Sequence, residues 1–273
     1  MPALLKLAIS LNKAYISLRR ILRGFFGILF YLKNKQQEYF HMLKAIFAIF
    51  SLGCFSFTTS ALANPNPTQY QQFIPKNWKI LETVKGDLNR DGLEDIVLVI
   101  EENNPKNILS NDSLGSPELN INPRSLLVLF KTTQGYQLIS KNQQLPSEND
   151  ADSPCLADPL EDGGITISKG ILKINLHYWL SCGSWYVTHN TFSFRYQDRA
   201  FKLIGFDQMS FHRASGEQNS LSINFSTGKI KEISGENEFE DVQQPIKTKW
   251  RTLKQHYDLK LEQINFKEPP EFQ

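Results

Sequence analysis

Hydrophobic and polar positions alternate through the second half of the chain. Leu172, Ile174, Leu176, Tyr178 and Leu180 are interleaved with Lys173, Asn175, His177 and Trp179, and Leu221, Ile223 and Phe225 with Ser222, Asn224 and Ser226. A period of two sends successive side chains to opposite faces, so each run predicts a half-buried β-strand. The stretches "WYVTHNTFSFRY" and "AFKLIGF", parted by Gln197-Asp198-Arg199, predict further strands, and turn signals stand at Gln134-Gly135, Lys169-Gly170 and Thr227-Gly228. Positions 96–100 are aliphatic throughout and predict a core strand, while no long amphipathic helix is evident. Strands at such short spacing, joined by polar turns, predict an all-β fold: a mainly antiparallel meander or sandwich, or a partly open barrel, with long loops. The loops are expected at 103–122 and 145–164, both rich in Asn, Ser, Asp and Pro, and "LKLEQINF" near the end is expected to return as an edge strand.

Upstream of residue 78 the pattern is different. From Met42 the chain reads "MLKAIFAIFSLGCFSFTTSALANPNP", with one lysine, an uncharged apolar run and then Ala61-Leu62-Ala63. That is the layout of a secretory signal peptide cut after Ala63. An uncleaved anchor is the alternative, but the apolar core falls short of the roughly 20 residues a spanning helix needs. Export signals begin at the start of translation, so translation is expected from Met42, with residues 1–41 not translated in the native protein. The domain organisation expected is therefore an upstream segment at 1–41, a signal peptide at 42–63, an extended leader at 64–77 and one β domain at 78–273. Localisation follows as exported, periplasmic or secreted.

Removing the targeting segment changes the charge. The whole chain carries a formal +2, but residues 1–63 hold eight Lys and Arg against one Glu, leaving 22 basic and 27 acidic residues, net −5. A mildly acidic remainder with no Lys/Arg cluster argues against nucleic-acid binding. Of three cysteines, Cys54 leaves with the signal. Cys155 and Cys182 remain, an even pair that in an exported protein is a candidate disulfide, with two buried thiols as the alternative.

One stretch carries candidate metal chemistry. In "GDLNRDGLEDIVLV", Asp87, Asn89, Asp91 and Asp95 stand at positions 1, 3, 5 and 9 of a loop spanning 87–95, with Gly92 at position 6 and the Leu93 carbonyl at position 7. A hard cation such as Ca²⁺ takes ~6 to 8 oxygens, which a tight loop supplies from alternating side chains and one backbone carbonyl. The alternative is an ordinary polar turn. The stretch resembles the calcium loop of FG-GAP repeats in integrin-type β-propellers, and over its first half it is similar to dockerin and EF-hand loops. The strand exit and the lack of Glu at position 12 suit FG-GAP better. The resemblance implies a structural Ca²⁺ held by the side chains of Asp87, Asn89, Asp91 and Asp95 and the carbonyl of Leu93. No second copy is present, so a full propeller is not expected; "DPLEDGG" around Asp162 has the wrong spacing. The order of cysteine, glycine-rich turn, aromatic hairpin and "SFHRASGE" also resembles exported bacterial proteins of unknown function that carry such a loop.

Two further groups invite attention. In "LHYWLSCGSWYVTHN", a hairpin closed by Cys182-Gly183-Ser184 sets His177 directly opposite His189, near enough to share a metal or proton, with Trp179 on the same face as a possible ligand patch. A one-residue slip removes that pairing, leaving cross-strand packing. In "DQMSFHR", Ser210 and His212 share a face while Asp207 has the opposite parity, so a hydrolytic triad is not supplied by the spacing. The functional expectation is an exported, non-catalytic envelope or binding module with one calcium-stabilised hairpin loop, its partner an envelope protein, a peptide or a glycan. The alternative is a periplasmic hydrolase with its site near His177, His189 and His212.

Overall fold

The computed structural model describes residues 69–161, 163–240, 245–268 and 271–272. They belong to one compact unit, Asn64–Gln273. The expected upstream segment, signal peptide and cleavage site lie outside the described residues, as does Asp162.

The architecture is all-β. After a short 3₁₀ turn at Gln71–Phe73 the chain forms β1 (Trp78–Gly86) and β2 (Asp95–Glu102), then a small hairpin of β3 (Ile108–Ser110) and β4 (Glu118–Asn120), then β5 (Arg124–Thr132) and β6 (Gly135–Leu145). A meander follows: β7 (Gly164–Ser168), β8 (Ile171–Trp179), β9 (Tyr186–Gln197), β10 (Ala200–His212), β11 (Glu217–Asn224), β12 (Lys229–Asn237) and β13 (Lys247–Thr252). Among the described residues these make three antiparallel sheets, ordered β1-β2-β5-β6, β13-β12-β11-β10-β9-β8-β7 and β3-β4, none closed into a barrel.

The two large sheets pack face to face. Val97, Val99, Leu126, Val128 and Phe130 of the four-stranded sheet share one core with Leu172, Ile174, Leu176, Phe192, Phe194 and Phe206 of the seven-stranded sheet. The alternation in β8 and β9 is the signature of a sheet with one buried face. β2 and β5 have no such alternation because both of their faces are covered. Their outward residues Ile96, Leu98, Ile100, Leu127 and Leu129 form a second cluster with Tyr70, Phe73, Ile74 and Trp78. The segment expected as an extended leader therefore includes the 3₁₀ turn and acts as an apolar cover.

Three local expectations are corrected. The expected loop at 103–122 holds a 3₁₀ turn, Pro105–Asn107, and the β3–β4 hairpin, with Leu109 opposite Leu119. The C-terminal "LKLEQINF" is no edge strand: apart from a single bridge from Lys260 to Lys202 it forms a 3₁₀ turn, Leu261–Gln263, with Leu261, Ile264 and Phe266 fully buried. Asn142 of β6 donates to the carbonyls of Leu261 and Ile264 at 2.7 and 2.9 Å, so the segment is held as a strap rather than as a paired strand. The expected loop at 145–164 is also partly ordered. Its residues 155–159 run along the far half of β8, where Ser181 N–H donates to Cys155 C=O, Ala157 N–H to Trp179 C=O and His177 N–H to Pro159 C=O. β7 covers the near half of β8, pairing from Ser168↔Ile171 to Gly164↔Asn175, so this segment completes the edge.

Candidate functional site

The 87–95 loop begins where β1 ends and delivers the chain into β2. Arg90 and Gly92 adopt φ of 64° and 85°, and the reversal depends on these left-handed positions. Asp87 turns both oxygens inward, Oδ1 accepting from Asp91 N–H at 3.2 Å and Oδ2 from Gly92 N–H at 3.0 Å. Asn89 Oδ1 also accepts from Asp91 N–H, and its amide donates to Asp91 Oδ2 at 2.8 Å. Asp91 Oδ1 accepts from Leu93 N–H. Three of the expected donors, Asp87, Asn89 and Asp91, are thus linked within one turn, and Leu93 sits at its exposed crest.

Asp95 is used differently. It is fully buried, with Oδ2 accepting from Leu88 N–H at 2.8 Å and Oδ1 from Lys131 N–H at 2.9 Å, so it pins the loop to the end of β5. Burial pushes its carboxyl up; the N–H groups of Lys131, Leu88 and Asn89 pull it back, and the Asp91 charge adds to the rise. Among the described residues no group of three or more His, Cys, Asp or Glu is gathered in a metal-holding arrangement. The loop leans on the β7–β8 turn, where Arg90 donates to Lys169 C=O at 3.2 Å.

The second site lies at the other end of β8. The register sets His177 opposite His189, as the sequence predicts, and their rings stack 4.2 Å apart and 5° from parallel. Trp179 pairs with Val187 in the next row of the same outer face. The connection between β8 and β9 is wider than the three residues expected, because Leu180 is bridged to Leu156 and Cys182 is joined to Cys155 across a Cα–Cα distance of 5.5 Å. Arg213 fixes this end: its guanidinium lies 5.9 Å from both the Trp179 and Trp185 rings and donates to the carbonyls of Leu180 and Ser184. Trp179, Trp185 and Tyr186 remain exposed at 41%, 62% and 51%. The two tryptophans form a shelf of aromatic surface around one cation, while Tyr186, on the opposite parity from Val187, packs edge-on against His212.

The third histidine is placed apart. His212 neighbours Phe211 and lies on the opposite parity from Met209, hence off the face that carries His177 and His189. Its Nδ1 is 2.8 Å from Ser215 Oγ and accepts Ser215 N–H at 3.1 Å, closing a local turn. Asp207 instead accepts from Ser222 Oγ, so Ser210, His212 and Asp207 are not brought together.

Sequence reasoning missed a buried charge network. Arg124, at the start of β5, donates from Nε to Glu101 at 2.8 Å and grips both oxygens of Asp158; Glu101 also receives Lys79 and Asn120. Burial pushes the Glu101 carboxyl up, but hydrogen bonds from Lys79, Arg124 and Asn120 together outweigh it and hold it below the usual carboxylate range. The one available signal was a charged residue at the end of each largely apolar run, Glu101 after 96–100 and Arg124 before "SLLVLF". Arg124 also borders a cleft of about 580 Å³ shared by Glu82, Glu148, Asp158 and Glu161, where the edges of β1 and β7 meet. There Ile165 N–H donates to Glu82.

Set beside known proteins, the chain matches no protein-family model, no curated protein and no solved structure.

Proposed function

We propose that this protein is an exported, non-catalytic binding module whose recognition surface is the aromatic end of the seven-stranded sheet and whose 87–95 loop is stapled by one Ca²⁺. The observation that carries the reading is the exposed shelf of Trp179 and Trp185 around Arg213. Rings and guanidinium held rigid by strand pairing and a disulfide supply contact area at low entropic cost, the property that enriches Trp, Tyr and Arg at recognition sites. The Cys155–Cys182 pairing supports export, since disulfides persist in oxidising compartments.

For the loop, the support is the clustering of Asp87, Asn89 and Asp91 in one turn with a reversal at Gly92. Each carboxylate offers about four lone-pair sites, and backbone donors leave room for a cation. The envelope component recognised would be a peptide, glycan or protein. Co-sedimentation with isolated cell envelopes tests the surface: Trp185→Ala and Trp179→Ala, both at exposed positions, should reduce retention without lowering the melting temperature. Retention that is absent, or equal in the variants, would overturn the reading.

A further inference from the structure

The two large sheets end in β1, β6, β7 and β13. The edge of β6 is closed by the strap at 259–266, tied to it by Asn142 and by Phe266 N–H, which donates to Gln144 C=O. β1 and β7 face each other, with Ile165 N–H donating to Glu82. Among the described residues no strand pairs with the far side of β13. Leu253 N–H donates to Gly228 C=O just past the strand end, which sets the alternation along the β12–β13 ladder. Lys247, Lys249 and Arg251 exchange their backbone bonds with β12, while Thr248, Trp250 and Thr252 turn their N–H and C=O groups to the open edge.

We propose that this edge takes up an extended acidic segment of a partner protein as an added antiparallel strand. β13 carries Lys247, Lys249 and Arg251 and no acidic residue, and their alternation puts all three cations on one face. Glu232 engages Arg251, whereas Lys249 lies 4.0 Å from that carboxylate and stays 71% exposed. The same alternation rules against a second copy of this chain. Two β13 edges paired antiparallel must set their outward residues 248, 250 and 252 opposite one another, so the odd-numbered positions also meet and cation faces cation in every register. Like charges directly opposite are destabilising. A strand with Asp or Glu at every second position instead gains a pairing at each lysine, with main-chain bonds supplying affinity and alternate side chains specificity. Lysines also guard open edges against aggregation, but the other face of β13 is not that of a guarded edge. Thr248 and Thr252 are strand formers, and Ile246 and Trp250 are 55% and 64% exposed, with the Lys231 ammonium 5.9 Å from the Trp250 ring. An apolar side chain of the added strand would lie beside that ring. β13 stands five strands from β8 in the sheet order, about 24 Å at a strand spacing of ~4.8 Å, so this edge is separate from the tryptophan shelf.

The test is fluorescence anisotropy with labelled heptapeptides that alternate Val with Glu or Val with Lys, read beside amide hydrogen exchange of the protein. The Val-Glu peptide should bind, weaken as salt is raised, and slow exchange at Thr248, Trp250 and Thr252. The Val-Lys peptide should bind about tenfold more weakly or not at all. Lys247→Gln combined with Lys249→Gln should lower affinity for the Val-Glu peptide about fivefold. Thr248→Pro removes an outward N–H and leaves the bonds to β12, a change that edge strands tolerate, and should abolish binding. An unchanged melting temperature would show that each variant folds, and Trp185→Ala should bind the peptide as the wild type does. No binding, equal binding of the two peptides, binding without protection of the three amides, or a dimer in sedimentation that Thr248→Pro dissolves would overturn the proposal.

Discussion

Arg124 grips Asp158 with two parallel N–H···O bonds of 2.7 and 2.8 Å. The pair joins the first residue of β5 to the segment that completes the edge of β8, so one guanidinium ties the two sheets together at the same end as the disulfide. Burial pushes the guanidinium down, but Asp158 and then Glu101 outweigh it and keep it charged.

Removing that cation should be costly. Arg124→Met leaves the buried Glu101 carboxylate with Lys79 as its remaining ion-pair partner and strips Asp158 of both bonds. Breaking one partner of a buried pair costs roughly 3 to 5 kcal/mol, which urea denaturation would measure. Arg124→Lys should fall between, because a point charge lacks the planar fork that serves Glu101 and Asp158 at once. An Arg124→Met protein as stable as the wild type would show that the network contributes nothing net.

The loop residues should separate into two classes. If calcium is bound at the millimolar affinity of extracellular modules, ten times Kd supplies about 1.4 kcal/mol, a rise of several degrees in Tm for a domain of this size. Asp91→Ala should abolish the calcium-dependent rise, and Glu94→Ala, whose exposed side chain lies 3.7 Å from Lys85, should retain it. Asp95→Asn should lower Tm in calcium and chelator alike. Its single carbonyl oxygen replaces two acceptors, leaving one of the Leu88 and Lys131 N–H groups unmatched at a cost of about 1 to 3 kcal/mol. Equal melting temperatures in calcium and chelator would reduce the motif to a polar turn.

Glu82 should make the protein less stable as pH rises. Burial at the β1–β7 junction holds its carboxyl above the usual carboxylate range, and the Ile165 N–H only partly offsets this. A raised folded-state pKa means that the favourable contribution is fully present below the unfolded value and is lost as pH climbs through the folded value. Glu82→Gln, which keeps an acceptor for Ile165, should therefore melt above the wild type at pH 7. The two curves should converge below about pH 4, under the ordinary Glu value. A lower melting temperature for Glu82→Gln at neutral pH would reverse the assignment.

Opening the disulfide should loosen one edge of the sandwich. Cys155 and Cys182 are 27 residues apart, a span for which chain entropy contributes about 3.5 kcal/mol. Cys155→Ser should lower Tm by on the order of 10 °C and expose 155–159 to protease, since the clamp holding that segment against β8 is gone. Protease resistance equal to that of the oxidised protein would show that backbone pairing alone suffices.

Much of the meander was legible because its signals are local. Alternation in β8 and β11 follows from a sheet with one wet face, and the turn at Lys169-Gly170 needs two left-handed residues in succession, φ 52° and 73°. The His177–His189 pairing was one of the registers the residues allowed, and it is present although the connection spans 180–185 and not three residues, so the turn alone did not fix it. The strap at 259–266 was not legible. Leu259, Leu261, Ile264 and Phe266 carry enough apolar surface to pass for a strand, and only the gap beside β6, with Asn142 offering its amide to two carbonyls, makes a 3₁₀ turn the better solution.

The sequence by itself determined the all-β class, the alternating strands of the central meander and the polar turn at 87–95, since periodicity and turn chemistry act between residues close along the chain. Tertiary structure decided which charges are buried and what they hold. Arg124, Glu101 and Asp158 are separated by 23 and 34 positions, and Asp95 meets Lys131 across 36. Such groups meet because antiparallel pairing brings distant positions into one row, and no pattern of neighbours along the chain encodes which rows will form.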